Sequence, residues 1–255
     1  MLTTRVIPCL LLKGNGFYKT TKFKKPVYLG DPVNILKIFN EKEVDEIVVL
    51  DIGSTRNRTG INYPLLKDFA SECFMPLGYG GGITNIDQMK NLFQLGFEKV
   101  LVNTAAYDNP NLVTQGANAF GRQSIVVSMD VKKDFCGHYV VMIQAGSKKT
   151  GRHPVEYARE MEERGAGEIL VTAIDNDGTM EGYDLKLIKL VSSAVNIPVI
   201  ACGGAGNVED FSSAVREAGA SAVAAGALFV FQGPHRAVLI NFPSPEELES
   251  VFATS

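Results

Sequence analysis

Residues 44–52 read VDEIVVLDI and residues 166–174 read AGEILVTAI, so an apolar, β-branched run with a glutamate near its start returns after 122 positions. The same offset carries MPLGYGGGITNID (75–87) onto IPVIACGGAGNVE (197–209), and nearly the same offset carries KVLVNTAA (99–106) onto AVAAGALF (222–229). Self-similarity at a fixed spacing marks two copies of one supersecondary plan. Laying the first strand on its partner aligns RVIPCLLLK (5–13) with SIVVSMDVK (124–132), which sets Leu11 opposite Asp130. One carboxylate of a symmetric pair is absent.

Around these segments, short apolar runs lie near 5–12, 46–52, 75–80, 99–103, 124–130, 168–174, 198–202 and 222–226. Between them, Pro32 to Asn40, Tyr63 to Cys73, Ile86 to Leu95, Pro154 to Arg164, Leu185 to Val195 and Val208 to Glu217 carry apolar residues every three or four positions, the period of amphipathic helices. Strands that are apolar throughout belong to a parallel sheet covered by helices, and eight βα units close most simply into a (β/α)8 TIM barrel. An open doubly wound sheet is the rival. The repeat predicts one domain over 1–255 built from half-barrels of about 1–121 and 122–240.

The composition of the 255 residues, 45% hydrophobic and 21% charged with a net charge of −3, suits one large core and shows no long basic or acidic block. Neither nucleic acid nor an anionic membrane is indicated, and a small-molecule or protein partner is expected. The N-terminus lacks a basic start and a cleavage site, and the apolar stretch Ala220 to Phe231 is too short to span a bilayer, so a cytoplasmic protein is expected. Cys9, Cys73, Cys136 and Cys202 are scattered without C-x-x-C pairing and read as buried thiols. His138, His153 and His235 show no ligand spacing, so neither metal nor cofactor is expected.

Gly80-Gly81-Gly82 and Gly203-Gly204-Ala205-Gly206 each follow a strand and precede a helix, where bare backbone N–H groups can approach a phosphate. Each alone is only a turn. Duplicated, and each followed one unit later by Asn103-Thr104 or Ala225-Gly226, they suggest two phosphate grips at one barrel mouth. Asp130 and the DNDGT run (175–179) fall at C-terminal strand ends, the catalytic face of such barrels. Proton transfer or ammonia orientation is the functional reading of Asp130 and Asp177, and capping or loop ordering is the structural one, which suits Asp175. Lys19, Lys22, Arg56 and Arg58 read as loop charges at the mouth, solvated or steering phosphates.

At the opposite strand ends stand Arg5, Glu46, Lys99 and Glu168. They could be solvated strand ends, or two cations and two anions closing a neutral ring on the barrel axis. Desolvating four charges costs about as much as their pairing returns, so a ring suggests a gate rather than a stability device. Gly78 in the third strand removes one side chain that could fill a conduit above it.

The motifs RVIPCL, GDPV, VVLDI, GYGGGI, VNTAAYDNP, GAGEIL, DNDGTMEGYD and IPVIACGGAGN span essentially the whole chain, and together they resemble the cyclase subunit of imidazole glycerol phosphate synthase. The resemblance implies a glutaminase subunit docked at the strand N-terminal face, ammonia passing a charged gate of Arg5, Glu46, Lys99 and Glu168, and a phosphorylated small molecule at the other mouth. It implies one phosphate grip at Gly82, Asn103 and Thr104, a second at Gly178, Gly204, Ala225 and Gly226, and functional aspartates at Asp130 and Asp177. The sequence departs from that family at its general acid, which is Leu11 here, and at the usual arginine of D-R-D-G-T, which is Asn176. With the C-terminal run LFVFQGPHRAVLINFPS, Leu11 resembles the divergent branch that accompanies amidotransferases making acetamidino sugars for bacterial surface polysaccharides. That branch implies ammonia conducted to a separate sugar amidotransferase. The alternative is a working cyclase-lyase of histidine synthesis, and a non-catalytic scaffold stands behind both.

Overall fold

The computed structural model describes residues 4–54 and 60–253. Its strands β1 (Arg5–Lys13), β2 (Ile47–Asp51), β3 (Leu77–Gly80), β4 (Lys99–Val102), β5 (Ile125–Lys133), β6 (Glu168–Ala173), β7 (Val199–Cys202) and β8 (Ala222–Ala225) each pair in parallel with the next. Pairing of β8 with β1, Arg5 opposite Ala222, closes the circle. The fold is a (β/α)8 TIM barrel.

The repeat extends to the strand register. Cys9 opposite Val48 in the first half becomes Ser128 opposite Leu170 in the second, and Ile47 opposite Leu77 becomes Ile169 opposite Val199. Likewise Gly78 opposite Lys99 becomes Ile200 opposite Ala222, and Val100 opposite Ile125 becomes Val223 opposite Val6. Each strand junction therefore has a twin across the barrel. Leu11 and Asp130 stand at equivalent heights, opposite Leu50 and Thr172.

Helices α1 (Pro32–Glu41), α2 (Tyr63–Glu72), α3 (Ile86–Leu95), α4 (Asn111–Phe120), α5 (Pro154–Glu163), α6 (Leu185–Ser192), α7 (Glu209–Arg216) and α8 (Pro245–Ala253) cover the outside. Side-chain caps fix several starts: Asp31 accepts from Asn34 N–H, Asn62 from Leu65, Asn85 from Gln88 and Asp184 from Leu187. Such caps satisfy backbone donors that the first helical turn leaves unpaired. Among the described residues no helix is long and apolar enough to cross a membrane.

Alternation divides each apolar strand between two cores. On β1, Val6, Leu10 and Leu12 pack outward under the helices, whereas Ile7 and Cys9 point to the axis. There they join Val48, Leu101, Val126, Leu170, Ile200, Cys202, Ala222 and Ala224. The expectation that Gly78 thins this axis is corrected. A Cβ at Gly78 would lie 3.1 Å from Leu101 Cδ1 and 3.3 Å from Val48 Cγ2, so neighbouring side chains occupy the space the glycine gives up.

Three hairpins escaped the periodicity: Gly16–Thr21 with Lys24–Gly30, Tyr139–Ile143 with Lys148–Lys149, and Phe231–Gln232 with Ala237–Val238. In each, one strand is short or exposed (Lys24–Gly30, Lys148–Lys149, Ala237–Val238), and the apolar run Tyr139–Ile143 lies outside the eight runs assigned to the barrel. The first moves Lys19 from the expected loop into a strand.

Backbone approach is close at Gly204, whose φ is +124° and whose missing Cβ would run into the Gly182 carbonyl. Gly182 N–H donates to Gly204 O at 2.9 Å, which fixes the two loops together. Gly204→Ala should cost about 1–3 kcal/mol, and differential scanning calorimetry should show a midpoint lower by about 2–4 °C per kcal/mol lost. Gly233→Ala, with φ +72° but nothing within 4 Å of its Cβ, should cost only about 1 kcal/mol. Equal midpoints for the two variants would refute the contact argument.

Candidate functional site

At the strand N-termini, the inward residues of β1 and β4 together with Glu46 and Glu168 bring four charges onto the axis. Arg5 Nη1 donates to Glu46 Oε2 and Arg5 Nη2 to Glu168 Oε1, each at 2.6 Å. Lys99 Nζ reaches Glu46 Oε2 at 2.8 Å and Glu168 Oε2 at 2.9 Å. Each cation holds both carboxylates, so the ring is closed and neutral. Burial works to lower the Arg5 pKa, but attraction to Glu168 and Glu46 outweighs it and raises the guanidinium above its ordinary value. Glu46 is 2% exposed and its Oε1 makes no hydrogen bond, a cost that surface strand ends would not bear. The solvated-end reading is therefore excluded for Glu46.

Above the ring and the axial core, a cavity of about 350 Å³ opens at the C-terminal strand ends. Cys9 and Cys202 lie at its base, and proximity to Cys202 together with burial pushes the Cys9 thiol well above its ordinary range. Leu11 lines the cavity and is 8% exposed, so the hydrocarbon faces the space its twin Asp130 also faces. Asp130 Oδ2 accepts from Asn103 Nδ2 at 3.1 Å, and the same amide donates to Ser128 O at 2.9 Å. Burial first, then repulsion from Asp177, pushes the Asp130 carboxyl up to about 7 against the Asn103 hydrogen bond.

Asp177 is 5% exposed and pairs with Lys19, Nζ to Oδ1 at 2.8 Å, while its Oδ2 is buried without a hydrogen bond. Lys19 was expected as a loop charge and is instead 5% exposed inside the cavity wall. The hairpin places it there, with Lys22 N–H donating to Asp177 O at 2.8 Å at the turn. Burial tends to lower the Lys19 pKa, but Asp177 raises it above its usual value. Lys22 is exposed, as a solvated loop charge. Arg56 and Arg58 lie outside the described residues. Asp175 accepts from Lys133 N–H at 3.0 Å, ordering the neighbouring loop.

The first glycine cluster opens into the cavity: Gly82, Asn103 and Thr104 line it. Thr104 Oγ1 accepts from Gln144 N–H at 3.0 Å, which ties the second hairpin to this wall. The second cluster is divided. Gly226 lines the cavity but Gly178, Gly204 and Ala225 do not. The C-terminal hairpin reaches this side, where Arg236 Nη2 donates to Gly178 O at 2.8 Å with its guanidinium 4.7 Å from the Phe231 ring centroid. Asn176, at the position of the missing arginine, donates to Gly182 O at 3.0 Å.

Asp51 and Arg236 are site residues that the sequence reading missed, and of Lys19 it missed the burial. Asp51 lines the cavity and accepts from Gly53 and Ser54 N–H at 2.8 and 2.9 Å, while burial raises its pKa. Its signal was available: it breaks the repeat, because its twin is Ala173. The expectation of four buried thiols is corrected. Cys136 is exposed and Cys73 partly so, and only Cys9 and Cys202 are buried. The tight turn after β5 gathers alternate residues and brings the donor atoms of Asp134, Cys136 and His138 within 4.8 Å of one another.

A raised folded-state pKa means that the unfolded Asp130 ionises first as pH rises, so its contribution to stability is full below pH of about 4 and declines until about 7. Asp130→Asn should therefore be more stable than the parent at pH 8, by about 2–4 kcal/mol, and that advantage should shrink towards pH 4. Urea unfolding at the two pH values measures it, and a pH-independent difference would contradict the burial argument.

The sequence profile of the family described as histidine biosynthesis protein matches residues 5–234. A Pseudomonas aeruginosa protein provisionally named imidazole glycerol phosphate synthase subunit hisF2 is 49% identical over 98% of this chain and 99% of its own length. The Alkaliphilus metalliredigens imidazole glycerol phosphate synthase subunit HisF is 43% identical over 90% and 91%. The HisF of Natranaerobius thermophilus is 41% identical over 98% and 99%. With this coverage, and with the half-barrel repeat carried into the strand register, the chain belongs to the histidine biosynthesis protein family, among its imidazole glycerol phosphate synthase HisF subunits.

Proposed function

We propose that this barrel receives ammonia from a glutaminase at its strand N-terminal face and conducts it to a sugar amidotransferase that forms acetamidino groups on surface-polysaccharide sugars. The observation that carries the reading is Leu11. Closing an imidazole ring and expelling the leaving amine calls for an acid and a base on opposite sides of the substrate. Leu11 faces the cavity opposite Asp130 and offers neither donor nor acceptor. Loss of a positioned acid typically lowers the rate by about 10²–10⁴-fold. Conduction asks nothing of that side chain.

In this reading Arg5, Glu46, Lys99 and Glu168 are the ammonia gate, closed in the state described, and the ring parts to admit ammonia. Asp130 and Asp177 hold and orient ammonia or move its proton, a task suited to a carboxyl whose pKa is about 7. Gly82, Asn103 and Thr104 bind the phosphate of a small molecule, with Gly178, Gly204, Ala225 and Gly226 as the second grip. A cytoplasmic location fits free thiols and a nucleotide-linked acceptor.

A second reading, a working cyclase, is favoured by the buried Lys19–Asp177 pair, which brings a potential proton donor into the same cavity. Ring formation from the purified chain with ammonium salt distinguishes the two. Under the conduction reading it should proceed at least about 10²-fold below an acid-bearing cyclase, and Leu11→Asp should raise it. Full turnover of the parent chain would sink conduction. Mixed with its glutaminase, the chain should activate glutamine hydrolysis and Lys99→Ala should loosen coupling between hydrolysis and amidation; unchanged coupling would remove the gate.

A further inference from the structure

The turn after β5 lies apart from the cavity and serves none of the roles above. It is nonetheless tightly built. Asp134 N–H donates to His138 O at 2.9 Å and Gly137 N–H to Asp134 O at 3.0 Å, closing the turn on itself. Asp134 Oδ1 accepts from the backbone N–H of both Cys136 and His138 at 2.9 Å. These bonds commit one carboxylate oxygen to the backbone and leave the other facing the imidazole, with Asp134 Oδ2 and His138 Nδ1 3.7 Å apart.

We propose that Asp134, Cys136 and His138 form a binding site for a divalent transition metal, zinc foremost. Their oxygen, sulfur and nitrogen donors lie within 4.8 Å of one another. Around a tetrahedral zinc with bonds of about 2.0–2.3 Å, donor atoms stand about 3.3–3.7 Å apart. The Asp134 to His138 edge already has that length, and the exposed Cys136 side chain can close the rest by rotation. A mixed O, N, S set suits zinc or cobalt and disfavours magnesium and calcium, which take oxygen ligands. The two backbone N–H groups that bond Asp134 Oδ1 fix the carboxylate in place, with Oδ2 turned towards the imidazole.

Two features set the strength and use of the site. Lys149, whose ammonium lies 5.7 Å from the centroid of Phe135 on the same turn, adds positive charge that works against a cation. Three protein ligands leave a fourth position open, as in exchangeable rather than closed structural zinc sites. The open position faces solvent at the barrel's C-terminal rim. Binding there is independent of whether the barrel conducts ammonia or cyclises a substrate.

Cobalt(II) titration of the full chain should give one equivalent with a thiolate-to-metal charge-transfer band, and zinc should displace it. Cys136→Ser should abolish the band, and both Cys136→Ser and His138→Ala should weaken zinc binding at least about tenfold in equilibrium dialysis. Cys73→Ser, which changes the other incompletely buried thiol, should leave both signals intact. A band that survives Cys136→Ser or disappears in Cys73→Ser would overturn the site, as would zinc affinity unchanged in His138→Ala.

Discussion

A closed barrel of eight parallel strands must turn alternate side chains of every strand towards one axis, and the rest of the molecule follows from that constraint. Once β8 pairs with β1, no strand can slip by one residue without exchanging its inner and outer faces. The inner positions then stack in levels. Charges form the lowest level, hydrocarbon and thiols the middle, and carboxylates with polar groups the highest. The sequence of chemistry along the axis is thus a sequence of heights on the strands.

The two ends treat charge differently. At the lower end each carboxylate meets two cations, so the charges cancel locally. At the upper end Lys19 neutralises Asp177 on one oxygen only, and Asp130 is left with an amide for company. The packed axial side chains between them keep these environments separate. Such an interior penalises an uncharged small molecule less than a charged one.

Much of the fold was legible because the repeat and the apolar period concern large, regular buried surfaces. Strand and helix positions followed wherever both signals agreed, as at Ile86–Leu95, and the ring residues were legible because charges at the starts of apolar runs are conspicuous. The three hairpins were not, since each has one short or exposed strand, Lys24–Gly30, Lys148–Lys149 or Ala237–Val238, with little periodicity to read. Lys19 was lost with the first hairpin: a lysine in a polar stretch gives no sign that the chain will fold back and bury it against Asp177. Gly78 failed for another reason. A missing side chain predicts space only if the neighbours stay in place, and here Leu101 and Val48 fill it.

The charged ring also has a lineage written into it. Both of its cations come from the first half, while the second supplies Glu168 alone, because the twins of Arg5 and Lys99 are Ser124 and Ala222. Two copies of the first half would set four cations against two carboxylates, and two copies of the second would leave the two carboxylates with no cation. Asymmetric divergence made each half electrically incomplete, so the neutral floor exists only as a joint property of the pair, and neither segment could be exchanged for a second copy of the other.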